Sequence, residues 1–332
     1  MATRVGINGF GRVGRDFLRR ALAQDLDVVA INDLTDTATL AHLLRYDSVH
    51  GPLPQPIEHD ADTLLLGGHE IAVTARRDPA TLDWRTPGVH IVLESTGQVR
   101  DRDDARLHLQ AGARKVLLSA PGTGADLTVV MGVSHFGYDP HRHDVLSAAS
   151  CTTHCVLPMV SVLHEQFGVR SGFLTTVHAY THAQPLLDSP HPDLRRARAA
   201  ATSIIPTSAG TARAASQVID ELARRLDRLA PRVPVENASL TDLTAVLDRD
   251  TTVEEVNTAF HRAARQQLTG ILRCENDPVV SRDILGDPSS CVFDVGLTQA
   301  DGNVVKTFGW YDNQYGYSCR LVDLCRYVAD RL

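Results

Sequence analysis

A glycine-rich segment near the amino terminus constrains the fold of this chain more than any other feature. Gly9, Gly11 and Gly14 form a G-x-G-x-x-G run, which follows a short apolar strand predicted at Val5–Ile7 and opens a helix predicted from about Arg12. Such glycines let the backbone approach a pyrophosphate closely, and the helix amino terminus supplies free N–H groups and a positive partial charge. The segment therefore predicts a dinucleotide-binding strand–turn–helix unit.

An acidic residue after the next predicted strand supports this interpretation. The run Val28–Ile31 is short and β-branched, and Asp33 stands 22 residues after Gly11. A carboxylate at this place accepts hydrogen bonds from a ribose 2′-OH and repels a 2′-phosphate. We therefore expect NAD as the cofactor. The alternative is an ordinary glycine-rich turn with an aspartate at a strand end.

The two halves of the chain carry different patterns of secondary structure. Up to about residue 150, strands and helices alternate, which is typical of a Rossmann-type, doubly wound α/β domain with a mostly parallel sheet. Later strands of this half are predicted at Ile91–Leu93, Val116–Leu118, Val129–Met131 and 145–149, with a helix near 101–111.

Beyond residue 150, long strands and hairpin turns indicate a second, α+β domain on a mixed or antiparallel sheet. The strands are predicted at 172–179, 232–235, 239–248, 291–298 and 303–311, and the helices just after Ser150 and at 211–228, 252–266 and 316–331.

The composition excludes several functional classes. The net charge of −7 argues against a nucleic-acid-binding face, and no apolar run approaches the length of a membrane span. The amino terminus lacks the apolar core of a signal peptide, so we expect a cytoplasmic protein. The 6 cysteines are irregularly spaced and offer no zinc site, so no metal is expected.

The second chemically informative segment is Ser150–Cys155. A predicted strand leads into an amphipathic helix here, which places Cys151 at the helix amino terminus, where the dipole and exposed N–H groups favour a thiolate. A nucleophile also needs a base, and His178 at the end of an apolar strand is the best candidate. The alternative is a buried cysteine and a structural histidine. Cys155, one helical turn later, is expected to face the core.

Several segments have the chemistry to bind phosphate. Thr152 and Thr153 offer hydroxyl groups in the first turn of that helix, residues 203–211 form a small-residue loop, and Arg232 offers a planar fork to an oxyanion. Each of these is also compatible with a purely structural role. The cluster Arg195–Arg198 is most simply a solvated face or a subunit contact.

Taken in order along the chain, these segments resemble the phosphorylating glyceraldehyde-3-phosphate dehydrogenase family. The matching stretches are VGINGFGRVGR at 5–15, YDSVHG at 46–51, ESTG at 94–97, ASCTT at 149–153, VHAYT at 177–181, LRRARAA at 194–200, IIPTS at 204–208, RVPV at 232–235, WYDN at 310–313 and GYS at 316–318.

The resemblance implies an organisation and a set of residue roles. It implies an NAD-binding Rossmann domain at 1–150 completed by the helix at 316–332, a catalytic domain at 151–315, and a homotetramer. Cys151 would be the nucleophile that forms a thioester and His178 its base. The cofactor contacts would be Gly9, Phe10, Gly11, Arg12, Val13, Asp33, Arg77, Ser119 and Asn313. The contacts with the aldehyde phosphate and with inorganic phosphate would be Ser150, Thr152, Thr153, Thr181, Arg195, Ala209, Gly210 and Arg232.

The sequence departs from the family pattern around the expected pocket. His154 stands where the family has Asn, His182-Ala183 where it has Asn-Asp, and Ala209 where it has Thr. Gln314-Tyr315 replaces Glu-Trp, and Ser189-Pro190 replaces Leu-Pro. These changes suggest a specialised isozyme, with resistance to an inhibitor of Cys151 as one hypothesis.

Two other interpretations remain open from the sequence. The first is a non-phosphorylating erythrose-4-phosphate dehydrogenase, a relative that shares the histidine at position 182 and lacks the phosphate-site threonine. The second is a non-catalytic binding protein on the same scaffold.

Overall fold

The structure, a computed structural model, describes residues 2–207 and 226–332. The chain divides into two compact units. Unit 1 comprises Met1–Val129, His135–Ala149 and Ser318–Leu332, and unit 2 comprises Val130–Ser134 and Ser150–Tyr317. Ala209, Gly210 and most of the helix predicted at 211–228 lie outside the described residues. The end of that prediction is wrong, because Leu226–Leu229 forms a strand that overlaps its last three residues.

Unit 1 is built on a mostly parallel sheet, as the sequence predicts. Its strand order is β3-β4-β5-β2-β1-β6-β7-β9-β8. Among the described residues, the pairs β3–β4 and β4–β5 are antiparallel and the other pairs are parallel. The strands are β1 (Thr3–Asn8), β2 (Leu26–Asn32), β3 (Ile57–His59), β4 (Thr63–Leu66), β5 (His69–Thr74), β6 (Ile91–Glu94), β7 (Lys115–Leu118), β8 (Leu127–Thr128) and β9 (Val145–Ser147). The helices are α1 (Arg12–Ala21), α2 (Thr37–Arg45) and α3 (Arg102–Gln110).

The strand order places a ligand crevice in unit 1. The chain passes from β1 to β2 on one side and later returns to β6 on the other, so the order reverses at β1. In doubly wound sheets, ligands bind beyond the carboxyl ends of the strands at such a reversal. The glycine run follows β1 at this place.

One predicted strand of unit 1 is wrong in position. The sequence predicts a strand at Val129–Met131, whereas the strand is Leu127–Thr128. The ladder ends where Val129 N donates to Ser147 O, and the chain then turns, with Ser134 N donating to Val130 O. The valines at 129 and 130 are buried by packing, and an apolar run alone does not distinguish packing from strand pairing.

A buried polar network joins the ends of three neighbouring strands in unit 1. The Glu94 carboxylate accepts from Asn8 Nδ2 at 2.5 Å and contacts His108 Nε2 at 3.1 Å. Trp84 Nε1 donates to His108 Nδ1 at 3.1 Å, and Asn32 Nδ2 donates to Asn8 Oδ1 at 2.7 Å. Because His108 Nδ1 accepts from the indole, its proton sits on Nε2 and is donated to Glu94. The carboxyl ends of β1, β2 and β6 are therefore tied together by side chains.

Unit 2 is built on a mixed sheet, in agreement with the fold class expected from the sequence. Its main strand order is β11-β10-β13-β17-β15-β14, with β12 paired to β10 and β16 paired to β17. The strands are β10 (Val169–Ala179), β11 (Leu226–Leu229), β12 (Arg232–Val233), β13 (Ser239–Leu247), β14 (Leu272–Glu275), β15 (Cys291–Asp294), β16 (Gln299–Asp301) and β17 (Val304–Tyr311).

Helices α4 (Cys151–Phe167) and α5 (Val253–Arg265) pack against this sheet. Phe260 of α5 and Phe293 of β15 are both fully buried, and their rings stack with centroids 3.7 Å apart. Burying a side chain of this size contributes about 1.5–3 kcal/mol to stability. Helix α4 itself is largely buried and packs against β13, β15, β17 and α5, which holds its axis and the position of its first residue, Cys151.

The last helix, α6, spans Tyr315–Ala329. Among the described residues, no helix has the length and apolar character needed to cross a membrane.

Candidate functional site

The glycine run adopts a shape that only glycine permits at two of its positions. Gly9 has φ +90°, and a Cβ there would lie 2.5 Å from the backbone nitrogen of Thr96. A Cβ on Gly14 would collide with the carbonyl oxygen of Gly9. A Cβ on Gly11 would meet no protein atom within 4 Å, so this residue borders open space at the start of α1. The loop therefore leaves room for a pyrophosphate against a helix amino terminus.

Asp33 closes the glycine loop with its carboxylate. One carboxylate oxygen accepts from Phe10 N at 2.7 Å and the other accepts from Thr35 N at 2.9 Å. Each oxygen keeps a further lone pair, so the carboxylate can still accept from a ribose hydroxyl. The charge and the remaining acceptors fit the ribose of NAD. The other loop residues are held from the side, where Arg15 Nη1 donates to Phe10 O at 2.9 Å and Arg12 pairs with Asp47 at 2.8 Å.

The structure treats the two remaining unit 1 candidates differently. Ser119 directly follows β7, and its backbone nitrogen donates to Glu94 O at 3.0 Å, which places it at the same carboxyl edge of the sheet. Arg77 lies exposed in the loop after β5. Ser119 therefore lies beside the carboxyl end of β6. The Arg77 side chain makes no hydrogen bond or ion pair in the described part of the chain.

In unit 2, the structure brings Cys151 and His178 together. Cys151 Sγ lies 3.6 Å from His178 Nε2, within hydrogen-bonding distance for sulfur. Cys151 is the first residue of α4, and the N-cap Ser150 accepts from Thr153 N at 3.2 Å. The chain enters this helix through Ala149, whose φ of +52° is uncommon for a residue with a side chain. The half-buried thiol therefore sits at a helix amino terminus beside an imidazole.

The guanidinium group of Arg232 faces the other ring nitrogen of His178. His178 Nδ1 lies 2.5 Å from Arg232 Nη1 and 2.7 Å from the carbonyl oxygen of Ala179. Burial and the Arg232 charge lower the pKa of His178 to about 3, so the imidazole is neutral at neutral pH. If Nδ1 accepts from Arg232, Nε2–H points at the sulfur. If Nδ1–H instead donates to Ala179, Nε2 can accept the thiol proton.

The electrostatics of Cys151 differ from the sequence expectation. A helix amino terminus favours the thiolate, but burial raises the pKa of the Cys151 thiol above its ordinary value, and the Arg232 charge opposes this only in part. Part of the residue is nevertheless accessible to solvent. The unliganded site therefore favours a neutral thiol beside a neutral imidazole.

The threonines that follow Cys151 are already engaged with neighbours. Thr152 Oγ1 lies 2.8 Å from the hydroxyl of the buried Tyr311, and Thr153 Oγ1 lies 2.8 Å from Ser150 Oγ. Tyr311 also presents its ring edge-on to His178, with centroids 6.0 Å apart. Tyr311 was not singled out from the sequence, and it packs between the helix start and the imidazole.

The two arginines expected at a phosphate site lie in different environments. Arg232 is directly at His178, and its buried Nε has no protein partner among the described residues. Arg195 is exposed, and its backbone nitrogen donates to Asp193. Burial is the main cause of the lowered pKa of Arg232, and the charge of the neighbouring Arg196 lowers it further. The Nε of Arg196 is itself buried without a partner in the same described ranges. Arg196 is therefore a candidate site residue that the sequence does not distinguish from its neighbours.

Thr181, also expected at a phosphate site, bonds within its own turn. Its hydroxyl donates to Gln184 Oε1 at 3.1 Å.

The histidines that depart from the family pattern have separate environments. His154 is buried, and its Nδ1 donates to Ser150 O at 3.1 Å. His182 is exposed. Cys155 faces the core as expected, with its Sγ 3.6 Å from Gly309 O.

Asn313 lies in a tightly held turn of unit 2. The buried Asp312 accepts from Gln314 N at 2.8 Å, Tyr315 N at 2.7 Å and Asn237 Nδ2 at 2.8 Å. The Asn313 carbonyl oxygen Oδ1 accepts from Ser239 Oγ at 3.0 Å. Its NH₂ group has no hydrogen-bond partner among the described residues and can donate to a ligand carboxamide. This donor fits a nicotinamide. Among the described residues, no cluster of His, Cys, Asp or Glu could hold a metal ion.

Comparisons with known proteins identify the family. Residues 3–102 match the family model described as glyceraldehyde 3-phosphate dehydrogenase, NAD binding domain, and residues 150–313 match its C-terminal domain. The chain is 53% identical over 333 residues to glyceraldehyde-3-phosphate dehydrogenase of Geobacillus stearothermophilus, covering 100% of this chain and 99% of the relative.

It is also 51% identical over 335 residues to glyceraldehyde-3-phosphate dehydrogenase 2 of Streptomyces avermitilis, with 100% of both chains covered. It is 51% identical over 333 residues to glyceraldehyde-3-phosphate dehydrogenase 1 of Bacillus subtilis, covering 100% of this chain and 99% of the relative. With both domain models matched in order and such relatives along its whole length, this chain belongs to the glyceraldehyde-3-phosphate dehydrogenase family.

Proposed function

We propose that the protein catalyses the NAD-dependent, phosphorylating oxidation of glyceraldehyde 3-phosphate to 1,3-bisphosphoglycerate. The observation that carries the proposal is the pair Cys151–His178, with Sγ and Nε2 3.6 Å apart at the start of α4. A thiol held at a helix amino terminus beside an imidazole is the arrangement of an activated cysteine nucleophile.

The geometry supports a stepwise role for each residue. His178 Nε2 takes the proton of Cys151 as the sulfur attacks the aldehyde carbon, giving the anion of a hemithioacetal. NAD, held by Gly9 to Val13, Asp33 and Asn313, would supply the hydride acceptor, and loss of hydride from this carbon leaves a thioester on Cys151. Inorganic phosphate then attacks the thioester carbon and releases the acyl phosphate, and the Cys151 thiolate leaves. The imidazolium and the first N–H groups of α4 stabilise the oxyanion of each tetrahedral intermediate.

The charges around the pair favour phosphate ligands. Arg232 and Arg196 carry buried Nε groups without protein partners in the described part of the chain, and an anion brought to Arg232 reduces the positive field on His178. We infer that substrate binding in this way makes His178 a better base. Thr181, Ser150, Thr153 and the residues Ala209 and Gly210 complete the proposed phosphate contacts.

The remaining assignments follow from the family. Unit 1 is the NAD-binding domain, with Gly9 to Val13 at the pyrophosphate and Asp33 at the ribose. Unit 2 is the catalytic domain, with Asn313 at the nicotinamide carboxamide. The protein acts in the cytoplasm as a homotetramer.

The test is NADH formation from glyceraldehyde 3-phosphate and from erythrose 4-phosphate, each with and without inorganic phosphate. We expect turnover with the three-carbon substrate and strict dependence on phosphate. Phosphate-independent turnover of erythrose 4-phosphate would contradict the proposal. The relatives at 51–53% identity do not favour that alternative.

A further inference from the structure

A buried serine lies between the imidazole and the amide of the proposed site. Ser239 is the first residue of β13 and is 2% exposed. Its hydroxyl oxygen is 3.1 Å from the backbone nitrogen of Ala179 and 3.0 Å from Asn313 Oδ1. Both neighbours belong to unit 2. One hydroxyl group therefore contacts the residue after His178 and the side chain of Asn313.

The direction of these two hydrogen bonds is fixed by chemistry. The Ala179 N–H can only donate, so Ser239 Oγ accepts from it. The Ser239 hydroxyl proton then points to the other neighbour, which must present an acceptor. If the Asn313 amide rotated by half a turn, its NH₂ group would face the hydroxyl and leave the buried proton without a partner. Ser239 therefore selects the amide orientation in which Oδ1 faces the serine and Nδ2 points away from it.

The backbone of the turn is held independently of Ser239. The Asp312 carboxylate accepts from Asn237, Gln314 and Tyr315, and its second oxygen accepts from Gly286 N at 2.8 Å. Removing the Ser239 hydroxyl therefore leaves the position of Asn313 in the turn unchanged. It frees only the rotation of the amide.

The Ala179 peptide gives Ser239 a second point of attachment. The carbonyl oxygen of this residue contacts His178 Nδ1, and its N–H donates to Ser239. In the tautomer whose Nδ1–H donates to Ala179 O, a chain of hydrogen bonds therefore runs from the imidazole through Ala179 and Ser239 to Asn313.

We propose that Ser239 is a positioning residue. It sets the orientation of the Asn313 amide, so that the NH₂ group of Asn313 can donate to the carboxamide of the nicotinamide ring. This inference rests on the proposed function, in which Asn313 binds that carboxamide. Ser239 itself contacts neither substrate nor cofactor and acts through Asn313.

The first experiment compares the binding of two ligands to the purified protein. Dissociation constants for NAD and for ADP-ribose, which lacks the nicotinamide, are measured by calorimetry for wild type and Ser239→Ala. Loss of the hydrogen bond that orients the Asn313 amide should raise the dissociation constant for NAD about 2–12-fold. ADP-ribose binding should be unchanged. Equal weakening of both ligands, or of neither, would overturn the proposal.

The chain offers a matched control on the same strand. Thr241 lies two residues further along β13 on the same face, is fully buried, and its Oγ1 has no partner in the described part of the chain. Thr241→Val removes a hydroxyl there without breaking a bond, so the ratio of the two dissociation constants should stay at the wild-type value. A shift of the same size as in Ser239→Ala would assign the effect to general loosening of the sheet and overturn the proposal.

A double-mutant cycle then tests the route of the effect. In an Asn313→Ala background, Ser239→Ala should cause no further loss of NAD affinity. An undiminished loss in that background refutes action through Asn313. Ser239→Thr keeps the hydroxyl and should restore the wild-type ratio. If Ser239→Ala does not fold, Ser239→Cys supplies the same comparison, since the thiol is a weak donor of similar size.

These readouts are separate from the proposed reaction. A wild-type protein that forms no NADH but shows the expected binding ratios refutes the proposed function alone. A wild-type protein that turns over normally while Ser239→Ala binds NAD with unchanged affinity refutes the positioning role alone.

Discussion

Replacing the aspartate at position 33 by asparagine should relax the choice between NAD and NADP. The Asp33 carboxylate is half-buried at the end of β2, and the ribose 2′-phosphate of NADP carries about −1.5 to −2 charges at neutral pH. At roughly 5 Å, the repulsion between these charges is about 1.2–7 kcal/mol for effective dielectric constants between about 80 and about 20. Asp33→Asn removes this repulsion, so NADP affinity should rise at least about sevenfold.

Asparagine is the informative substitution because Asp33 also has a structural role. Its carboxylate accepts from Phe10 N, and the side-chain carbonyl oxygen of the introduced asparagine can still accept that hydrogen bond. Asp33→Ala leaves the Phe10 N–H without its acceptor, at a cost of about 1–3 kcal/mol. We therefore expect Asp33→Ala to lose NAD affinity as well, whereas Asp33→Asn should largely keep it.

The assay is calorimetric titration with NAD and with NADP at fixed ionic strength. Asp36→Asn provides the control, because Asp36 is a nearby exposed carboxylate that caps α2 by accepting from Thr39 N. The control should leave the ratio of the two dissociation constants unchanged. If Asp33→Asn also leaves that ratio unchanged, charge repulsion at Asp33 does not select the cofactor.

Three further predictions concern unit 2. Cys151→Ser should abolish turnover while NAD affinity stays near wild type, because a serine hydroxyl does not supply the anion; residual turnover above about 1% would contradict a thioester route. His178→Asn should slow hydride transfer about 10²–10⁴-fold and shift the pH profile of Cys151 alkylation to higher pH, since the neighbour that takes or donates the proton is lost. Coincident alkylation profiles for the two proteins would refute the pairing. Ala209→Thr, outside the described residues, should lower the Michaelis constant for inorganic phosphate about 10–150-fold by restoring a hydrogen bond to a charged group; an unchanged constant would remove position 209 from the phosphate site.

Features that depend on local sequence could be predicted. The glycine run, the helix after it and the acid after β2 lie close together in the chain, so composition and spacing are enough to place them. The same holds for Cys151, since an N-cap serine followed by an amphipathic run marks a helix start. The sequence makes His178 the best candidate base, and the family resemblance implies its pairing with Cys151.

Features that depend on long-range packing could not be predicted. Arg232 reaches His178 because β12 pairs in parallel with β10, in a register that places these two residues opposite each other. Nothing in the local sequence states that register. Arg196 and Arg195 look alike in sequence, and only the fold buries the Nε atom of Arg196 and leaves Arg195 exposed. Ser239 is likewise an ordinary strand residue until β13 brings it to Asn313.

Burial also explains why the pKa of Cys151 differs from the expectation based on sequence. The helix dipole is a local property, and from the sequence it predicts a lowered pKa for Cys151. Desolvation depends on everything packed around the group, and in the folded protein it outweighs the Arg232 charge and the hydrogen bonds at Thr152, so the pKa of Cys151 is raised.

The buried network in unit 1 restricts how this sequence can diverge. One ring nitrogen of His108 accepts from Trp84 and the other donates to Glu94. These bonds belong to the network at the carboxyl ends of β1, β2 and β6, where the glycine run begins. A single replacement that removes the hydrogen-bonding group at any of these three positions leaves at least one buried polar group unpaired. An acceptable change therefore needs two or three substitutions at once, which makes intermediates unfavourable. The three residues should persist or change together in lineages that keep this loop.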